Sequence, residues 1–266
     1  MRRAVVAGAF YEGTKERLEE QLRDCFSGVP REENEGIIGA VVPHAGYIYS
    51  GGVAASVYAQ LPKADTFVIL GTNHQGVGSF IAVSKDTWST PLGTVETDED
   101  FVNALPKRII DVDETAHSYE HSIEVQLPFL QFRFEKTFRI VPISMGLTDV
   151  DTAIEVGEDL ANTIATIDKK VVVIASSDFT HYEPDSIARS KDEYVIEAIK
   201  ELDVAKFYTR VYERNVTACG IAPIAAMMHA AKKLGATEGR VTKYATSGDI
   251  IGDRSSVVGY GGIIVV

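Results

Sequence analysis

Apolar positions along this chain fall into two kinds of run. Short, β-branched runs without alternation mark strands covered on both faces of a sheet, and longer stretches with apolar positions three and four apart mark helices packed against it. Residues 37–42, 66–70 and 171–175 are runs of the first kind, and 80–84, 138–143, 241–246 and 259–266 join them as predicted strands. A helix is predicted from near Thr14 to Gly28, with Leu18, Leu22 and Cys25 or Phe26 on one face. Others are predicted over the small residues 53–60, over 98–104 behind Asp98, and over 149–166, where Ile154, Val156, Leu160 and Ile164 share a face. Charged helices follow at 186–201 and 203–213, and a last one runs from about Thr217 to Lys233, closed by Gly235. Residues 4–11 read as an early strand or extended segment, 88–97 as a loop or small hairpin turning at Pro91-Leu92-Gly93, and 115–134 as polar and then amphipathic. Strands alternating with helices predict a three-layer α/β/α fold with a central, largely parallel or mixed sheet. No repeat or linker divides residues 1–266, so one domain is expected.

Three of the strands end in small residues followed by a histidine: Pro43-His44-Ala45-Gly46, Gly71-Thr72-Asn73-His74 and Ser176-Ser177-Asp178-Phe179-Thr180-His181. Ligands of open α/β sheets collect outside the carboxyl ends of the strands, so three histidines delivered there could share one site. A lone histidine after a strand is more often structural; three at equivalent ends outweigh that reading. Cys219, expected in the first turn of the last helix, adds a thiol that the helix dipole would help to ionise. Two or three imidazoles with a thiolate suit iron, copper or zinc. His117 and His121 are four apart and would share a face of a helix, but the zinc-protease pattern H-E-x-x-H is absent. Asp178, His121 and Glu120 are supporting candidates. His229 reads as a helix-face histidine and Cys25 as core filler.

Composition narrows the partners. The net charge of −12 and the lack of any large basic cluster argue against nucleic acid or an anionic membrane. No apolar stretch approaches the ~18 residues of a membrane span, and no signal-length apolar core follows the basic start, so a cytoplasmic protein is expected. Two cysteines make no disulfide framework and suit a reducing compartment.

At these residues the chain resembles the Memo family, also called AmmeMemoRadiSam system protein B. The resemblance spans nearly the whole chain: Ala7-Gly8-Ala9-Phe10-Tyr11, Pro43-His44-Ala45-Gly46-Tyr47 with Ser50-Gly51, Gly71-Thr72-Asn73-His74, Glu120-His121-Ser122-Ile123-Glu124 with Gln126-Leu127-Pro128, Ser177-Asp178-Phe179-Thr180-His181-Tyr182, and Cys219-Gly220. That family is in turn similar to the class III extradiol dioxygenases, non-haem iron enzymes. The resemblance implies a dioxygenase-like fold, metal ligands at His44, His74 and Cys219, and an acid/base histidine at His181; Asp178 or His121 would orient its neighbours in a redox reading of the site. Cys219 stands where the dioxygenases have a carboxylate, which softens the site towards copper or zinc and exposes the thiolate to oxidation. Glu12 replaces a proline usual in the family, and no function attaches to that change.

Three functions fit these residues. The first is a metal-dependent redox protein using Fe(II) or copper, with zinc also admitted; if the chain is an enzyme, it is then a metal-dependent oxidoreductase. The second in rank is a non-catalytic module binding a peptide or small molecule in the same pocket, with Tyr47, Tyr49, Trp88 and Tyr182 as aromatic contacts. The third is a hydrolase or transferase with Cys219 as nucleophile, His181 as base and Asp178 as orienter. Substrate and oligomeric state are not readable from the residues.

Overall fold

The computed structural model describes residues 1–106, 108–135 and 138–266. Strands β1 (Gly39–Val42), β2 (Thr66–Thr72), β3 (Ile81–Val83), β6 (Asp111–Val112), β7 (Arg139–Met145), β8 (Val171–Ser176), β10 (Gly239–Thr246) and β11 (Val257–Val265) form one sheet in the order β10-β11-β1-β8-β2-β7-β3-β6. The central strands β1, β8, β2 and β7 run parallel, β10 and β11 are antiparallel to their neighbours, and β3 is antiparallel to β7. Short β9 (His181–Glu183) pairs with β11, and β4 (Trp88–Thr90) with β5 (Gly93–Val95) makes a separate hairpin. The fold is thus α/β with a mixed sheet.

Side-chain alternation explains why the central strands carry no polar face. Ala40, Val42, Phe67, Ile69, Val172 and Ile174 pack under α1 (Lys15–Cys25), α2 (Tyr47–Tyr58) and α4 (Leu127–Phe134). Their neighbours Val41, Val68, Leu70, Val173 and Ala175 point the other way. They pack under α3 (Glu99–Ala104), α5 (Val150–Ile164), α6 (Asp185–Lys200), α7 (Val204–Arg214) and α8 (Ile221–Lys233). Both parities are therefore apolar, as strands covered on two faces require. Asp98, Asp149 and Asp203 cap α3, α5 and α7 by accepting from the backbone three residues on.

Four local expectations are corrected. Residues 4–11 form turns with single bridges rather than a strand, because the N–H groups of Val5 and Val6 donate to the buried Glu124 carboxylate. Helix α2 begins at Tyr47 instead of Val53; Gly51 lies inside it because a Cβ there would meet Cys25 Sγ at 2.5 Å, so the glycine lets α1 and α2 approach. Cys219 precedes α8, whose N-cap is Gly220, since Gly220 packs directly on Ser177, 2.4 Å from where its Cβ would sit. His117 and His121 do not share a helix: 115–117 is a single 3₁₀ turn and the chain is irregular at 121. A further short helix, α9 (Ser247–Ile251), closed by a Thr246–Asp249 capping box, was not anticipated.

Parallel register sets the site. Val42 lies opposite Ser176 and Thr72 opposite Met145, so β1, β2 and β8 end at one level and release the segments bearing His44, His74 and 177–181 side by side. Among the described residues no helix is long and apolar enough to cross a membrane.

Candidate functional site

The ladder between β1 and β8 continues one step past the strands, Ser177 N–H donating to Val42 O at 2.9 Å. Beyond it the Asp178 carboxylate takes over, its Oδ1 accepting from His44 N at 2.8 Å and Ala45 N at 3.3 Å. Asp178 thereby staples the His44 turn to the end of β8. Burial pushes the Asp178 carboxyl up, against the opposing pull of the His44 N–H.

A second carboxylate holds the other two histidines. Glu120 is 1% exposed and accepts from His74 N at 2.6 Å, His121 N at 2.8 Å, Ser122 N at 2.9 Å and His74 Nδ1 at 2.9 Å. Burial alone would raise its pKa, but the hydrogen bond from His74 and those from the backbone hold it down at about 2. A carboxylate only accepts, so His74 donates to it from Nδ1 and turns Nε2 away from Glu120.

The result is a cluster of three imidazoles. Ring centroids lie 5.3 Å apart for His44 and His74, 5.4 Å for His44 and His121, and 4.8 Å for the stacked His74 and His121. One ring nitrogen from each falls within 4.8 Å of the other two. Burial, followed by the neighbouring His74, lowers His44 to about 3, and burial with His44 lowers His121 to about 4, so both rings are neutral at pH 7. His44 is buried, while the His74 side, exposed to solvent, is the way in.

Cys219 touches this cluster at His44. Its Sγ lies 3.1 Å from His44 Nε2 and accepts from Asp178 N at 3.2 Å. Burial and then the Asp178 charge push the thiol well above its ordinary range. Cys219 lies ahead of the α8 N-cap, outside the first turn, and burial keeps the thiol protonated in the metal-free protein. His181 begins β9, its Nδ1 2.9 Å from Thr217 O and its N–H on Thr217 Oγ1. A carbonyl only accepts, so His181 donates from Nδ1 and its Nε2 is left out of this contact.

The arrangement of glycines, carboxylates and histidines matches a known pattern along its length. A family model for Memo-like proteins matches residues 2–264. The chain belongs to the Memo family. It is 55% identical to a MEMO1 family protein of Methanosarcina barkeri over all of both chains, and 53% identical to one of Methanosarcina mazei over all of this chain and 99% of that one. A MEMO1 family protein of Nitrosopumilus maritimus is 44% identical over 99% of this chain and 98% of its own length.

Of the residues singled out in this Memo sequence, His44, His74 and His121 converge, Cys219 abuts His44, and Asp178 and Glu120 hold their backbones. His117 stays apart: its Nε2 faces Ala82 O and its ring lies against Trp88. Trp88, stacked under Arg2, and Tyr47, buried with its hydroxyl on Val125 O, belong to the core rather than a pocket. Tyr49 and Tyr182 are exposed. Sequence reasoning passed over Ser176 and Gln126, both fully buried behind His44; the one signal for Ser176 is its parity in β8, which aims it at the face that carries His44.

Proposed function

We propose that this chain is a metal-dependent redox protein that holds one iron or copper ion, with a dioxygenase-like pocket and a place in a reducing, cytoplasmic setting suited to its free thiols. The convergence of His44, His74 and His121 carries the reading. Donor atoms at the corners of a triangle of at most 4.8 Å edge lie about 2.8 Å from its centre, and rings turning inward by about 0.7 Å reach ordinary metal–imidazole distances. The donors fit such an ion chemically: His44 and His121 are neutral, and His74, held through Nδ1 by Glu120, has its Nε2 free of that carboxylate. Cys219 supplies a fourth, soft donor adjacent to His44. A bound iron or copper ion would supply one-electron chemistry at the open side of the site. The chain's own residues supply the rest: Glu120 and Asp178 fix ligand backbones, and His181, oriented through Nδ1 by the Thr217 carbonyl, is the residue that exchanges protons.

The test is elemental analysis of anaerobically purified protein after exposure to Fe(II), Cu(I) or Zn(II), beside His44→Ala, His121→Ala and Cys219→Ser. About one ion per chain, lost in His44→Ala, is expected; retention in Cys219→Ser with loss in His121→Ala assigns the third ligand to the imidazole. No metal in any sample overturns the proposal. A second reading, a non-catalytic peptide or small-ligand module, draws on Tyr182, 79% exposed beside His181 with φ of +59°. Non-glycine residues held there are costly and gather at functional positions. Partner binding that survives His44→Ala and fails in Tyr182→Ala would favour it.

A further inference from the structure

Behind His44 lies a chain of buried hydrogen bonds in which every proton has only one place to go. Tyr58 OH donates to Gln126 Oε1 at 2.8 Å, and the carbonyl of Pro43, which can only accept, fixes the orientation of the Gln126 amide. Its two N–H bonds then go to Pro43 O at 3.0 Å and to Ser176 Oγ at 2.8 Å. The Ser176 hydroxyl has one hydrogen, and the carbonyl of Ser122, 2.6 Å away, can only accept. The hydroxyl hydrogen therefore goes to Ser122, and Ser176 meets His44 Nδ1, 2.9 Å away, with a lone pair. Tyr58, Gln126, Ser176 and Ser122 are all buried, so water cannot relieve a wrong arrangement. Reversing the His44 tautomer would strip a buried carbonyl of its donor, a penalty the network avoids.

We infer that Ser176, held by Gln126 and the Ser122 carbonyl, is a positioning residue that locks His44 as the Nδ1–H tautomer and turns its Nε2 lone pair to the site. Two consequences follow. The hydrogen between His44 Nε2 and Cys219 Sγ belongs to sulfur, so the thiol is the donor in that 3.1 Å contact. An ion arriving at Nε2 replaces this S–H bond and meets a nitrogen that has no proton to lose. The significance for metal binding rests on the proposed function; the tautomer itself does not.

The experiment is ¹⁵N and ¹³C NMR of histidine-labelled, metal-free protein at neutral pH, with the His44 signals assigned by their loss in His44→Ala. Wild type is expected to show protonated Nδ1 and bare Nε2. In Ser176→Ala that preference is lost and an Nε2–H signal appears; Ser176→Thr, which keeps the hydroxyl, restores the wild-type pattern. Should Ser176→Ala fail to fold, Ser176→Cys, with a weak sulfur acceptor, is expected to show the same loss. Titration with Fe(II) alone, and separately with Zn(II) alone, against a chelator should show binding weakened by about 10- to 100-fold in Ser176→Ala. A wild-type spectrum with Nε2–H, or a Ser176→Ala spectrum identical to wild type, overturns the inference. The expected tautomer in a protein that takes up no metal would leave it standing and remove the proposed function.

Discussion

Asp192 is fully buried on α6, and the partners its carboxylate is bonded to are neutral hydroxyls and a backbone N–H, which makes its replacement by asparagine a sharp test of the electrostatics. Its Oδ1 accepts from Thr180 N at 3.0 Å and Thr180 Oγ1 at 2.5 Å, and its Oδ2 accepts from Tyr244 OH at 2.6 Å. Gly259 makes room, since a Cβ there would lie 2.0 Å from Oδ2. Burial raises the carboxyl from 3.8 to about 6, against the opposing effects of Thr180, Tyr244 and the nearby His181. The sign is then fixed. The folded state holds the proton more tightly than the unfolded chain, so stability is greatest below the unfolded pKa and is lost as pH rises through about 6. A shift of about two units costs about 3 kcal/mol above that window. Asparagine keeps an oxygen for Thr180 and offers an N–H to the Tyr244 oxygen while carrying no charge. Asp192→Asn is therefore expected to be more stable than wild type by about 1 to 3 kcal/mol at about pH 7.5, the advantage vanishing by about pH 4. Urea midpoints of the two proteins at several pH values measure this. Parallel pH profiles, or an asparagine protein weaker by about 1 kcal/mol at pH 7.5, would refute the reasoning and show that the hydrogen bonds to the charged form outweigh its burial.

Three further outcomes are expected. Arg2 forms a buried ion pair with Glu124 at 2.5 Å and donates to the carbonyls of His117 and Glu120, so Arg2→Ala should cost about 3 to 5 kcal/mol in urea unfolding. Glu120→Gln places an amide where four N–H groups converge and should weaken retention of any bound ion by about 10- to 100-fold in a chelator competition; unchanged retention would show that the staple is dispensable. Cys219 should react with iodoacetamide at pH 7.5 more slowly than a free cysteine, because burial and Asp178 keep it protonated. A rate matching or exceeding that of free cysteine would revive the thiol-nucleophile reading.

Much of this architecture was legible because its strands are covered on both faces. A run such as Val171-Val172-Val173-Ile174-Ala175 has no competing interpretation as a half-exposed strand, and the β8 it predicts is present. Elements whose glycines serve packing were harder. Gly51-Gly52 reads as a turn, yet it lies inside α2 because Cys25 of α1 presses against it. The first ten residues look extended by composition, but their N–H groups are claimed by Glu124, more than a hundred positions away. His44 and His74 were visible as strand-end residues. His121 was visible only as a neighbour, since its place beside them depends on backbone N–H groups gathering around Glu120, which no periodicity announces.

Those gatherings follow one rule. Each histidine-bearing loop is pinned by a buried carboxylate that accepts main-chain N–H groups and lies beside the imidazoles: Asp178 for the His44 turn, Glu120 for His74 and His121, and Asp192 for Thr180 next to His181. These loops are mostly buried yet leave the sheet ladder, so their main-chain N–H groups need acceptors that neighbouring strands no longer supply. Hydrogen bonds to a charged acceptor are about twice as strong as neutral ones and are directional, so they can order a loop that the ladder does not. They also leave their charge behind. The Glu120 carboxylate lies 2.9 Å from His74 Nδ1 and 3.3 Å from His121 Nδ1, beside two imidazoles, His44 and His121, that are neutral at pH 7. The same carboxylates that fix the geometry therefore make the space between the imidazole nitrogens attractive to a cation and hostile to an anion. Ligand position and ligand charge preference arise from one set of residues.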